Sequence, residues 1–360
     1  MSLRSAFVHI VRAALCLATF LLGLSGVCWG IREALPFPDI MLVKPKLDHL
    51  AAHHDEYDTL FIGSSRIYYQ IIPALFDQLA AEQGLPTRSF NAAIAGMRPP
   101  EDAYYFDYIL RHPPKRLRWV FIELASVHTE MDPDKIGTVR AIYWHDLPRL
   151  WLIFQRALSS PRRLLPRRHT WLKALEAQLE PFGDFFAHLP LFIRNETNLG
   201  GGSVFTSRLI YATLRPPMPP RVTLGADLAG WIRTGRPEVM TGNELADFEK
   251  ALAQRRVAPA YHDRGDSISQ QALETMIAKI EKLGATPVLV VPPTTNKRNF
   301  YPAPEREKKT VVLDFCDLEK FPELYENRYR LDTDHVNTEG ARVFTRIFVE
   351  TWAQEVKRRQ

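Results

Sequence analysis

The sequence predicts an α/β protein: a three-layer α/β/α arrangement around a mainly parallel five-stranded sheet, preceded by a transmembrane helix and interrupted by a large, mostly helical insertion. Three observations carry this. Short apolar runs alternate along the chain with segments of helical periodicity. The runs, such as WVFIEL at 119–124 and TPVLVV at 286–291, are apolar throughout, as strands buried on both faces are. And Ala13–Gly30 carries no charge at all.

That uncharged stretch comes first. With Phe7–Ile10 added beyond Arg12, it reaches the roughly 17–25 residues that span a bilayer core. Arg4 and Arg12 flank its N-terminal side, so the N-terminus belongs in the cytoplasm and the remainder outside, as in a single-pass inner-membrane protein whose soluble part faces the periplasm. A cleaved signal peptide is the competing reading. Leu24-Ser25-Gly26-Val27 is a mediocre cleavage site, and Cys28 lacks the leucine three residues upstream that a lipoprotein needs, so an uncleaved anchor over 1–30 is favoured. Residues 31–57, with Pro36, Pro38 and Pro45, read as a polar tether.

The sheet elements follow. Asp58–Ile62 is a strand running into Gly63-Ser64-Ser65. A helix over 73–83 is opened by Pro73 and closed by Gly84. Ser89–Asn91 leads into AAIAG, a helix over 101–110 stops at Pro113-Pro114, and 119–124 is the third strand. Apolar positions Ile268, Ala272, Leu273, Met276, Ile277, Ile280 and Leu283 give a helix over 267–283, with Asp266 as N-cap and Gly284 beyond its end. Strands at 286–291 and 310–315 and a helix from Thr338 to about Val356 complete the domain, which is thus split into 58–130 and 266–360 by an insertion at 131–265. Ligands of parallel sheets sit at the carboxyl ends of the strands, so the loops there are where chemistry is to be sought.

Composition excludes several classes. With 46% hydrophobic and 24% charged residues the chain is not disordered. Three cysteines make neither a disulfide framework nor a cysteine zinc site, and a net charge of +5 does not argue for nucleic acid. Nothing here calls for a metal or another cofactor. Within the insertion, Arg140–Lys173 holds eight basic residues against Asp146 alone, interleaved with Trp144, Trp151, Phe154 and Trp171. Such a stretch suits an anionic membrane surface or a membrane partner; a solvated helical face is the plainer account. Gly200–Gly202 and Pro216–Pro220 read as hinge and loop.

Three short motifs carry chemistry. A serine in the turn Gly63-Ser64-Ser65-Arg66 exposes its hydroxyl at the sheet edge, with a backbone N–H free for an oxyanion; an ordinary capping turn is the alternative. Gly96, closing Asn91-Ala92-Ala93-Ile94-Ala95-Gly96, brings another N–H close to a substrate. In Asp332-Thr333-Asp334-His335-Val336-Asn337 a carboxylate three residues before a histidine orients one ring nitrogen and leaves the other for a nucleophile. His53-His54-Asp55-Glu56 lacks the spacing of a helical zinc site, Arg264-Gly265-Asp266 reads as a helix-start turn, and Asn195-Glu196-Thr197 is a sequon relevant only in a eukaryotic secretory host. His262-Asp263 is either a second acid–base pair or a loop before a helix. Cys316 reads as a core residue.

In this order the three motifs resemble those of the SGNH (GDSL-type) hydrolase superfamily. FIGSSR matches the first block with Ser65 as nucleophile and Ser64 in place of its aspartate; FNAAIAG matches the second with Gly96 as oxyanion donor; DTDHVN matches the fifth with Asp332 and His335. The match covers 58–130 and 266–355 and leaves the insertion outside it. One departure stands out: the third block's oxyanion asparagine is replaced by Val127, leaving Ser65, Gly96 and Ser126 to hold an oxyanion, with Ser64, Arg66 and Asp334 as further candidates. A Gly-Ser-Ser start, a missing third block and one N-terminal anchor resemble the membrane-anchored SGNH-like proteins of cell-envelope acylation, such as those of alginate O-acetylation and teichoic-acid D-alanylation. The resemblance implies an O-acyltransferase or esterase acting on an envelope glycan beside a multi-span acyltransferase. A binding or scaffolding protein on a degenerate fold is the non-enzymatic alternative.

Overall fold

Apolar runs that the sequence places along the chain fold into β1 (Thr59–Ile62), β2 (Ser89–Asn91), β3 (Trp119–Glu123), β5 (Thr286–Val291) and β7 (Val311–Asp314), one parallel sheet in the order β2-β1-β3-β5-β7. Two short strands, β4 (Tyr261–Asp263) and β6 (Arg298–Phe300), pair separately. The structure, a computed structural model, describes residues 3–34, 37–40, 42–132, 135–160, 175, 178–197, 240–258 and 260–360. The chain divides into two compact units, Met1–Ile40 with Thr129–Pro219, and Met41–His128 with Pro220–Gln360.

In the sheet unit every residue of β1, β2 and β5 after Thr286 is buried. That is why these strands lack polar alternation. In register, Phe61 sits beside Phe121 and Ile122 beside Leu289. The helix Thr338–Arg359 lays Phe344, Phe348 and Trp352 on this core at successive turns, and the helix Pro73–Glu82 adds Phe76, stacked on Trp352 at 5.4 Å. The helix Ser267–Lys282 buries Ile268, Leu273, Met276, Ile277 and Ile280 and packs on β5, with Asp266 capping it as expected. Strand order reverses between β1 and β3, the position at whose carboxyl end parallel sheets bind their ligands. The turns after both strands lie there.

Two expectations are corrected. The polar tether predicted for 31–57 is, over Val43–His53, a helix that buries Val43, Lys46, Leu47 and Leu50. Lys46 is 2% exposed and donates from Nζ to the carbonyls of Asn91 and Ala93 at 2.8 and 2.5 Å, over the ring of Tyr68. Desolvation pushes its ammonium well below the usual lysine value. The second correction concerns the insertion. The helix Gly242–Val257 belongs to the sheet unit: Phe248 is fully buried, and Arg255 donates to the carbonyl of Cys316 at 2.6 Å.

In the other unit, the helix Leu3–Ala34 contains one stretch, Ser5–Ile31, long and apolar enough to cross a membrane, with mean hydropathy 2.0. Helices Val139–Tyr143, Leu147–Ser159 and Gly183–Thr197 pack together. Asp146 caps the second of them and pairs with Arg149 at 2.9 Å, so one arginine of the basic stretch is internally satisfied. Arg162, Arg163, Arg167, Arg168, Trp171 and Lys173, with the hinge and loop at 200–202 and 216–220, lie outside the described residues.

Candidate functional site

The site begins where β1 ends. Gly63 is required there by contact: a Cβ would lie 2.6 Å from Glu123 Oε2 and 2.8 Å from Ile67 Cγ1. Ser64 then caps a one-turn helix, Ser65–Tyr68, its hydroxyl accepting from the Arg66 N–H at 3.3 Å. Ser65 opens that turn. Its Oγ lies 2.7 Å from His335 Nε2, and His335 Nδ1 lies 2.8 and 2.9 Å from the two oxygens of Asp332. With the carboxylate accepting from Nδ1–H, Nε2 is left as the acceptor for the serine hydroxyl. Ser65 and His335, 270 residues apart in the chain, thus form with Asp332 one continuous chain of hydrogen bonds.

Local structure holds the histidine in place. Asp332 Oδ1 also accepts the N–H groups of Asp334 and His335, both at 2.8 Å, closing a tight turn. Burial works to raise the Asp332 pKa, but the imidazole and these two N–H groups outweigh it and hold the carboxyl down to about 2. Arg330, fully buried, ties the loop from beneath through Thr333 O at 2.7 Å and Asp332 O at 3.3 Å. No described contact links Asp334 to Ser65. Its carboxylate accepts from Thr294 and Asn296, and its carbonyl accepts from Gln70. Asn337 caps the terminal helix and anchors to Arg328 O at 2.6 Å.

Asn91 explains the second motif. Fully buried, it donates to the carbonyls of Ile67 and Ile71 at 3.1 Å and accepts from Ala93 N–H, lashing the Gly96 loop to the serine turn. Gly96 takes φ +72°, a conformation that favours glycine. Ser126 is exposed in the loop after β3, and no described contact ties it to the Ser65–His335–Asp332 group. Val127 is buried, with its N–H donated to Ser269 Oγ at 3.0 Å.

Glu123, at the end of β3, is the residue that sequence reasoning missed. Its carboxylate accepts from Ser64 N–H at 2.6 Å, Ser64 Oγ at 2.9 Å, and the Arg66 guanidinium at 2.6 and 2.8 Å. Burial disfavours the Arg66 charge, but Glu123 and Asp334 outweigh it and hold that guanidinium above its usual value. A lone acidic residue closing an otherwise apolar strand, as in WVFIEL, is the signal that could have found it.

The remaining candidates fall elsewhere. His262 stacks on Tyr301 at 3.6 Å with its Nε2 3.6 Å from Asp314, while Asp263 pairs with Arg298; the two do not form an acid–base pair. His53 and His54 turn ring nitrogens onto the carbonyls of His49 and Ala51. Asn195 is buried and donates to Tyr143 O and His145 O. Cys316 is buried against Pro292 O, and burial pushes its thiol up. Set against known proteins, the chain matches no family model, no curated protein and no solved structure.

Proposed function

We propose that the chain is a membrane-anchored serine acyl-transfer protein of SGNH type, moving or removing an O-acyl group on a cell-envelope glycan. The observation that carries this is the 2.7 Å contact between Ser65 Oγ and His335 Nε2, with Asp332 on the opposite ring nitrogen. His335 takes the hydroxyl proton as Ser65 attacks an acyl carbonyl. The N–H groups of Ser65 and Gly96 face the developing oxyanion, and His335 returns the proton to the departing alcohol oxygen. The acyl-serine then passes to water or to a sugar hydroxyl, with His335 acting again as base. The same three groups serve an esterase and a transferase, and acceptor binding separates the two. The non-catalytic reading would gain from a serine and a histidine far apart; the 2.7 Å contact favours the acyl-transfer reading.

The parallel sheet and the single candidate span support this reading; the proposal includes helices in three layers, a helical insertion, a soluble part in the periplasm and a multi-span acyltransferase as partner. A fluorophosphonate is expected to label the wild-type chain on one residue, with the adduct lost in Ser65→Ala. Labelling that persists in that variant overturns Ser65 as the nucleophile.

A further inference from the structure

The helix Leu147–Ser159 buries Leu150, Ile153 and Ala157, yet Leu147, Trp151 and Leu158 on the neighbouring stripe are 64%, 54% and 46% exposed. The helix Gly183–Thr197, packed against it, leaves Phe186 54% and Ile193 43% exposed. Rings join the two: Trp151 to Phe154 at 5.4 Å, Phe154 to Phe185 at 5.1 Å, and Phe185 to Phe186 at 5.6 Å. Single exposed apolar side chains need no account, but a patch continuous across two helices does.

The spanning segment indicates what covers it. Leu3–Ala34 packs on Gly183–Thr197 within the same unit. Cys28, three residues before the end of the Ser5–Ile31 span, is buried, with Glu196 in electrostatic reach. At about 1.5 Å per residue, this sets the end of Gly183–Thr197 roughly 5 Å from the edge of the span, at headgroup depth. A helix pair held there, exposing Trp151 and Phe186 and carrying Arg156 and Arg194 in the same two helices, has the chemistry of an interfacial helix.

We propose that the face formed by Leu147, Trp151, Leu158, Phe186 and Ile193 seats in the interfacial layer of the bilayer that Ser5–Ile31 spans. The inference rests on that span being retained and is independent of any chemistry at Ser65. The full chain in a Cys16→Ala background, with Cys28 and Cys316 buried, takes a bimane label at Trp151→Cys, Phe186→Cys or the exposed control Glu82→Cys. Each is placed in vesicles of phosphatidylethanolamine and phosphatidylglycerol containing lipid nitroxide. Labels at 151 and 186 should lose about half their emission to the lipid quencher and resist aqueous iodide, with the control behaving oppositely. Iodide quenching at 151 and 186 as strong as at 82 overturns the proposal, and so does shielding from both quenchers, which would mean a protein cover. A chain that does not sediment with the vesicles overturns it through the span instead.

Discussion

Glu123 takes donors from Ser64 and Arg66 on either side of the nucleophilic position, so the placement of Ser65 Oγ depends on a carboxylate in another strand. Its side chain is only 2% exposed, and Arg66 is its ion partner. Deleting the carboxylate would take from the part-buried Arg66 guanidinium its ion partner, with only the Asp334 charge left to favour it, which is destabilising. Glu123→Gln is the more informative change. The amide keeps the shape but turns a donor towards Ser64 N–H, so the serine turn shifts while the sheet survives. Displacing a reacting atom by a fraction of an ångström is expected to slow fluorophosphonate labelling of Ser65 roughly ten- to hundredfold. A labelling rate within about twofold of wild type, with the fold intact, would restrict Glu123 to a purely structural role.

At the scale of elements, the hairpin carrying His335 and the helix that follows it are joined at Gly340. A Cβ there would lie 2.1 Å from Tyr329 O and 2.8 Å from Val336 Cβ. Glycine to alanine inside a helix ordinarily stabilises by about 0.5–1 kcal/mol. Here the sign should invert: Gly340→Ala must push the 329–336 hairpin off the helix, at about 1–3 kcal/mol for overpacking. A lower Tm together with loss of Ser65 labelling is the expected outcome; a Tm at or above wild type would refute the close approach. The elements themselves were legible where local pattern decides them, as in the apolar strand runs, the Asp266 cap and the proline and glycine that bound Pro73–Glu82. The helix Val43–His53 was not, although Val43, Leu47 and Leu50 have helical spacing, because Pro45 and the neighbouring charges suggested a tether. Lys46 buries its ammonium only because carbonyls at the end of β2 await it. The same reason hid Glu123 and Arg330: a buried charge is legible only with its partners, and those lie far away in sequence or on the backbone.

For the whole molecule, the two units differ in the pH window over which acid weakens them. In the unit formed by Met1–Ile40 and Thr129–Pro219, His145 Nε2 lies 2.7 Å from His188 Nδ1, and His188 Nε2 lies 2.8 Å from Thr129 O. The carbonyl accepts from Nε2–H of His188, whose Nδ1 then accepts from His145, so both rings are neutral. Burial lowers both, His145 to about 3 with His188 adding to the effect, while the Thr129 carbonyl and Asp184 partly offset it at His188. The sign follows from proton counting. Between about pH 6.5 and 3 the unfolded chain binds more protons than the folded one, so stability falls as pH falls. In the sheet unit Asp332 has the same sign but a lower window: its contribution, present above the ordinary value of 3.8, is lost as pH falls from there through about 2. Acidification from pH 7 to 4.5 should therefore open Leu147–Ser159 and Gly183–Thr197 first. After correction for chemical exchange rates, their hydrogen-exchange protection should fall by up to about tenfold per pH unit for each titrating histidine. A variant carrying both His145→Gln and His188→Gln should lose that slope. If the slope survives the double substitution, or the wild-type chain shows none, the pair is not what makes this unit sensitive to acid.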